Sequence, residues 1–430
     1  MTIEATTPGK ETFTPGRFGL KASEEIFMAT FAYYAGLKAA KEEGRPVIWA
    51  YGVTPREIFH AVDAPVFYLE HVPFLLGFQQ IGSHYMQIAE EHGFSKDVCT
   101  SHRCFIGCGL GSEQEREPIL EGMFVEPDLI IAGNYPCMSE SKAFLCIADR
   151  YDCPYYFIDT PINTWGKDPP DYAIEYFEGQ LKGALDFMGE HGFNLDWDKL
   201  KETVRLSKQI LLLFKEIDEL RKAIPAPMSS MDGLVTALLL IQVLPPSTVI
   251  TLYEKVLKEV KERVEKKEGA LEEEKLRLMF FGVPPTFNMG VLDSVEKYGA
   301  VFAKSLLECA QGGMFDPSGI ESFMDPEKPL ESIAYRTLVD LINPTSEAMV
   351  NYMVGAVKDF NIDGVVAVVK RSCGLIPPYL RQIKDAVYKE TGVPTTIFDL
   401  DGLDTRDYDD VTTRINLESF IETLLASKRR

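Results

Sequence analysis

A chain of 430 residues with 46% hydrophobic and 25% charged residues is too long for one ordinary core and predicts two or three domains of a soluble globular protein. Its net charge of −21 argues against a nucleic-acid or anionic-membrane partner, which would need clustered Lys and Arg. The stretch Met1 to Gly19 is polar, and the most apolar run, Leu234 to Leu244, is cut by Pro245-Pro246 and is too short to span a bilayer, so a cytoplasmic protein is expected.

Along the chain, Ser23 to Glu43 has Phe27, Phe31, Tyr34 and Leu37 at helical spacing. Four apolar runs follow, each with the character of a buried strand: Pro46 to Gly52, Pro65 to Leu69, Asp128 to Ala132 and Tyr155 to Asp159. Helical stretches separate them, which is the pattern of a parallel βαβ sheet. From Tyr172 to about Lys275 no strand stands out. Leu200 to Ile224 has helical spacing, and Glu254 to Lys275 reads as a charged, solvated helix. Strands return at Leu276 to Phe281, Ala300 to Phe302, Gly364 to Val369 and Thr395 to Phe398.

The two halves match in order. Tyr51-Gly-Val-Thr-Pro55 corresponds to Phe281-Gly-Val-Pro-Pro285, Asp128 to Cys137 corresponds to Asp363 to Cys373, and Pro154 to Asp159 corresponds to Pro394 to Asp399. The expected architecture is α/β, with two similar open parallel-sheet domains of Rossmann or flavodoxin type. The boundaries are an N-terminal helical segment 1–45, a first α/β domain 46–171, a helical insert 172–275 and a second α/β domain 276–430. Ligands of such sheets bind beyond the carboxyl ends of the strands. A cysteine there in each half, Cys137 and Cys373, suggests two domains facing one metal or redox centre.

The chain has eight cysteines, and in a large cytosolic protein these point to metal or redox chemistry rather than to structural disulfides. Cys99, Cys104 and Cys108 cluster in one segment whose spacing fits neither a zinc ribbon nor a ferredoxin run. Thiolates select zinc, Cu(I) and Fe–S clusters. Gly107 and Gly109 would let backbone N–H groups approach a cluster. Cys146, within a predicted helix, and Cys153, just before a strand, read as core residues.

These residues resemble the cluster-bearing component of the 2-hydroxyacyl-CoA dehydratase and benzoyl-CoA reductase family. Cys99-Thr-Ser-His-Arg103 is similar to its Cys-x-x-x-Arg segment, Pro127 to Cys137 and Asp363 to Cys373 to its second and third cysteine segments, and Thr54-Pro-Arg-Glu57 to its Pro-x-Glu-Leu. The tail from Asp399 to Phe420 resembles its carboxyl-terminal signature. The resemblance covers about residues 45 to 425. It implies a [4Fe-4S]-type cluster on three cysteines, reduced at low potential by a separate homodimeric Fe–S ATPase, and either an acyl-CoA or a small-molecule substrate.

Cys99, Cys104, Cys108, Cys137, Cys309 and Cys373 together give six thiolates, the number that a double-cubane [8Fe-9S] centre needs. The sequence reading leans to that branch of the family, a homodimer reducing small molecules. The alternatives are a subunit of a heterodimeric acyl-CoA dehydratase or reductase with one [4Fe-4S] cluster, and a cluster-carrying electron-transfer protein without a substrate of its own. Glu57, His102 and Arg103 are candidate catalytic groups: Glu57 as an acid or base, His102 as a donor to a sulfide, Arg103 as a partner for an anionic cluster or substrate. Lys370 and Arg371 precede Cys373 and would offset the charge of a thiolate-bound cluster. The sequence contains no GxxxxGK[ST] loop, which assigns ATP hydrolysis to a partner.

Overall fold

A computed structural model describes the chain except for residues 1–15, 52–53, 70, 136, 167, 241–243, 307–319, 341–344, 371, 375–376 and 429–430. Helix α1 (Lys21–Glu42) leads into β1 (Ile48–Ala50), α2 (Arg56–Ala61) and β2 (Val66–Tyr68). Helices α3 (His71–Phe78), α4 (Gly82–Glu91), α5 (Thr100–Leu110) and α6 (Pro118–Glu121) precede β3 (Leu129–Gly133). Helix α7 (Met138–Tyr151) then crosses to β4 (Tyr155–Ile158). The four strands are parallel in the order β2-β1-β3-β4. Every residue of β1, β2 and β3 is buried, which is why these strands read as unbroken apolar runs rather than alternating ones.

Four helices follow: α8 (Asp171–Glu190), α9 (Trp197–Leu220), α10 (Ser230–Leu238) and α11 (Pro246–Lys266). The second sheet has β5 (Leu276–Phe281), α12 (Gly290–Asp293), β6 (Ala300–Ser305), α13 (Ile320–Phe323), α14 (Pro329–Leu338) and α15 (Ser346–Asp359). It is completed by β7 (Gly364–Val369), α16 (Pro377–Thr391), β8 (Thr395–Asp399) and α17 (Asp410–Lys428). Its strands are also parallel, in the order β6-β5-β7-β8. All eight expected strands are present, and the two sheets share one connectivity.

One clasp is repeated in both sheets. Asp128, just before β3, accepts the Val47 N–H at 2.7 Å while its own N–H donates to the Val47 carbonyl at 2.9 Å. Asp363, just before β7, accepts the Arg277 N–H at 2.8 Å and donates to the Arg277 carbonyl at 2.7 Å. Each carboxylate locks the start of the third strand of its half beside the first. The crevice where strand order reverses therefore lies in both sheets between equivalent strands, β1/β3 and β5/β7.

The charged helix expected to reach Lys275 stops at Lys266, because Lys267 adopts a left-handed conformation (φ 56°). Glu274 beyond it is withdrawn from solvent by two contacts, accepting the Ala226 N–H at 2.5 Å and the Arg277 guanidinium at 3.0 Å. Helix α1 has no capping side chain of its own. Asp232 accepts the Gly19 and Leu20 N–H groups at 3.0 Å each, and Glu259 those of Lys21 and Ala22 at 2.9 Å each, so α10 and α11 cap it from outside. Among the described residues no helix is long and apolar enough to cross a membrane.

Candidate functional site

Cys137 and Cys373 occupy equivalent places, each four residues beyond its strand (Gly133 to Cys137, Val369 to Cys373). Cys137 is the N-cap of α7, and Cys99 is the N-cap of α5. Both sulfurs thus belong to residues at helix N-termini, beside the unpaired N–H groups of a first turn. Cys99, Cys137 and Cys373 are all half-buried.

Two hydrogen bonds staple the three cysteine segments together. The Thr100 N–H donates to Ser372 Oγ at 3.1 Å, joining the residue after Cys99 to the residue before Cys373. His102 Nδ1 and Ser139 Oγ share a hydrogen bond of 2.9 Å, joining the turn after Cys99 to the turn after Cys137. Lys370, buried directly after β7, donates from Nζ to Cys99 Sγ at 3.4 Å and to Ser101 Oγ at 3.0 Å. Burial opposes the Lys370 charge, but Cys99, Asp401 and Cys373 outweigh it, and the ammonium is held protonated above the usual lysine range.

His102 is buried, with Tyr51 edge-on at 6.2 Å and Phe105 at 5.4 Å between ring centroids. Burial, and then the Lys370 charge, hold its pKa down at about 3, so the ring is neutral. Arg103 is buried and engaged by carboxylates. Its guanidinium meets Asp404 at 3.0 Å and Glu90 at 3.1 Å, and Arg406 joins the same two carboxylates. The anions that Arg103 serves are therefore Glu90 and Asp404, the latter 301 residues away in sequence.

Glu57 is fully buried and is held by Arg336 of α14 at 2.5 and 2.8 Å. Burial alone would raise its pKa, but Arg336 and then Arg56 overcome this and pull it down to about 2. A carboxylate so clamped does not exchange protons near neutral pH. Arg336 also lies near Tyr135, two residues before Cys137, whose hydroxyl is pushed well up by burial and by Asp340.

Cys104 and Cys108 lie one turn apart within α5, both with no exposed surface, among the side chains packed between the first sheet, α4 and α7. Burial, then Cys104 beside it, pushes the Cys108 thiol well above its ordinary value. Gly107 lets α5 lie directly on α4: a methyl group there would stand 1.7 Å from the Tyr85 carbonyl oxygen. Burial pushes the Cys153 thiol up to about 12. Cys309 and Arg371 lie outside the described residues.

Sequence reasoning did not single out Ser101, Ser139, Ser372, Asp401, Asp404 or Arg336. Asp401 accepts the Leu403 and Asp404 N–H groups at 2.9 and 3.3 Å and the Ser372 hydroxyl at 3.4 Å, fixing the loop that backs Cys373. The repeated acidic residues of Asp399-Leu-Asp-Gly-Leu-Asp404 were the available signal.

Among the described residues no three His, Cys, Asp or Glu side chains converge closely enough to share one metal ion. The thiolates of a cluster attach to different irons and stand further apart than the ligands of a single ion, so a soft, half-buried three-thiol donor set fits a cluster better than a lone metal.

The family model described as 2-hydroxyglutaryl-CoA dehydratase, D-component, matches residues 52–424. The chain belongs to this family. Among curated relatives, it is 24% identical over 402 residues to the (R)-2-hydroxyisocaproyl-CoA dehydratase alpha subunit of Clostridioides difficile, covering 92% of this chain and 94% of that one. It is 25% identical over 392 residues to the (R)-phenyllactyl-CoA dehydratase alpha subunit of Clostridium sporogenes, covering 90% and 92%. It is 21% identical over 429 residues to the lactoyl-CoA dehydratase subunit alpha of Anaerotignum propionicum, covering 95% and 98%. The family match spans all three cysteine segments and every strand but β1.

Proposed function

We propose that this chain is the cluster-bearing subunit of a 2-hydroxyacyl-CoA dehydratase or a related acyl-CoA reductase, with Cys99, Cys137 and Cys373 holding a [4Fe-4S]-type cluster between the strand ends of the two sheets. The observation that carries this reading is the pair of hydrogen bonds, Thr100 to Ser372 and His102 to Ser139, that draws the three cysteine segments to one place. The double-cubane alternative needs Cys104 and Cys108 as ligands. Their full burial within α5, with the Cys108 thiol held protonated, favours the three-thiolate site instead. The relatives named as acyl-CoA dehydratase subunits support the substrate class.

When bound, such a cluster supplies one-electron reduction at low potential. The residues around it do the rest. Lys370 holds positive charge against Cys99, and neutral His102 orients Ser139 while Tyr51 and Phe105 shield that wall from water. Glu57 and Arg336 are locked together, and the Arg336 charge acts on Tyr135, two residues before Cys137. The electron donor in this reading is a separate homodimeric ATP-hydrolysing Fe–S protein, and a homologous second subunit completes the enzyme.

The test is iron and acid-labile sulfide per chain on protein purified without oxygen, alongside single Cys→Ser variants. About four irons, lost on changing Cys99, Cys137 or Cys373 and kept on changing Cys104 or Cys108, is the expected result. About eight irons that depend on Cys104 and Cys108 would establish the double-cubane centre instead. No iron after anaerobic reconstitution would sink the cluster reading.

A further inference from the structure

Lys370 is the one described cation in hydrogen-bond contact with a cysteine of the candidate site. It is 3% exposed, and its Nζ donates to Cys99 Sγ at 3.4 Å and Ser101 Oγ at 3.0 Å. A buried ammonium must be paired with an anion, because removing it from water costs several kcal/mol. Among the described residues no carboxylate stands within ion-pair distance of it. The nearby Asp401, which accepts the Leu403 and Asp404 N–H groups and the Ser372 hydroxyl, adds negative charge from further off. The sulfur in direct contact with it is that of Cys99.

The contact also crosses the cleft. Lys370 directly follows β7, an interior strand whose last residue, Val369, is still in register with Asp399 of β8. Cys99 begins α5, on the side of the first sheet. Ser101, in the first turn of α5, accepts the second hydrogen bond and aims the ammonium at the sulfur rather than at solvent. One half of the molecule therefore presents a positive charge to a candidate ligand of the other.

We propose that Lys370 is a positioning residue that raises the reduction potential of the cluster by holding its ammonium against the Cys99 sulfur. The proposal rests on the cluster reading given above. Its physical basis is general: hydrogen bonds and positive charge at a ligating sulfur stabilise the more negative, reduced form of a cluster. No bond to carbon forms or breaks. The cluster takes up one electron from an external one-electron reductant, and Lys370 sets how readily it does so.

The experiment is a mediated redox titration, followed by EPR, of the anaerobically reconstituted full chain and its Lys370→Met, Lys370→Gln and Lys370→Arg variants, with iron counted in each. The expected result is unchanged iron, a midpoint potential shifted to more negative values in the Met and Gln variants, and return towards the wild-type potential in the Arg variant. If Met does not load, the Gln variant, which keeps a donor but no charge, carries the comparison. Equal potentials in fully loaded wild type, Met and Gln proteins would overturn the proposal and leave the cluster reading standing. Loss of iron in all three variants would make Lys370 a loading or folding residue and would likewise overturn it. Wild-type protein that takes up no iron would remove the cluster reading and this proposal together.

Discussion

Arg336 grips both oxygens of Glu57, at 2.5 and 2.8 Å, across 279 residues of sequence, and so pins α14 to the helix that follows the first strand. Glu57→Gln would leave Arg336 and the neighbouring Arg56 buried beside an amide that carries no charge. Breaking such a pair costs about 3–5 kcal/mol, so a fall of that size is expected in denaturant unfolding. Arg336→Lys should recover little, because a lysine cannot make the two-pronged contact. Near-wild-type stability of the Gln variant would return Glu57 to the list of acid–base candidates.

Acid sensitivity should begin well above the carboxylate range. His71 and His102 are buried and neutral, both held down at about 3, His71 by burial and His102 by burial and the Lys370 charge. A depressed histidine takes up a proton only on unfolding, so the unfolded chain binds more protons below the ordinary histidine pKa. The stability that each contributes is complete above about pH 6.5 and falls by about 1.4 kcal/mol per pH unit below it, until the pH nears 3. Glu57 has the same sign, with its contribution lost between about pH 4.5 and 2. Unfolding free energy measured from pH 8 to 4 should decline from pH 6.5, and His71→Gln should flatten that slope. A flat profile down to pH 5 would contradict it.

Gly107→Ala places a methyl 1.7 Å from the Tyr85 carbonyl oxygen, where backbone rather than a side-chain tip must give way. Helices α4 and α5 would have to separate. A loss of at least about 1–3 kcal/mol is expected, although alanine is the better helix former. Thermal unfolding of the variant decides this, and a raised melting temperature would mean that the two helices are not in close contact.

The repeated strand clasp predicts paired effects. Asp128→Ala and Asp363→Ala each remove a charged acceptor from a backbone N–H of the first strand of their sheet. A loss of about 1.5–3 kcal/mol is expected for each. Because the sites lie in different sheets with no partner in common, the double variant should show the sum within about 0.5 kcal/mol. A double-mutant cycle in urea tests both statements.

The strands were legible because buried parallel strands are continuous apolar runs, and Ile48–Ala50 and Gly364–Val369 stand out as such. The duplication was legible because an aspartate, a strand and a cysteine recur in one order, and the aspartates have the same task in both halves. What could not be read is what depends on distant pairing. Nothing near Glu57 signals that Arg336 will neutralise it, and nothing near Arg103 signals Asp404. The two residues therefore looked available for catalysis when tertiary contacts had already engaged them. The spacing of Cys104 and Cys108 was visible, but their enclosure within α5 follows from its packing on α4, which the glycine at 107 permits.

The Arg103–Asp404 contact also has a consequence for the order in which the protein can be made. During synthesis Cys99, Arg103 and Cys137 emerge from the ribosome long before Asp404, which follows Arg103 by 301 residues. Until then the arginine at the heart of α5 has only Glu90 to neutralise it, and the loop bearing Cys373 has no Asp401 behind it. Ribosome-bound chains stalled before residue 400 should accordingly leave α5 open to protease, and chains stalled far enough past Arg406 for it to have left the exit tunnel should protect it. The cysteine segments are thus braced by residues as much as 301 positions further along the chain, so their arrangement is completed only after the second sheet has been made.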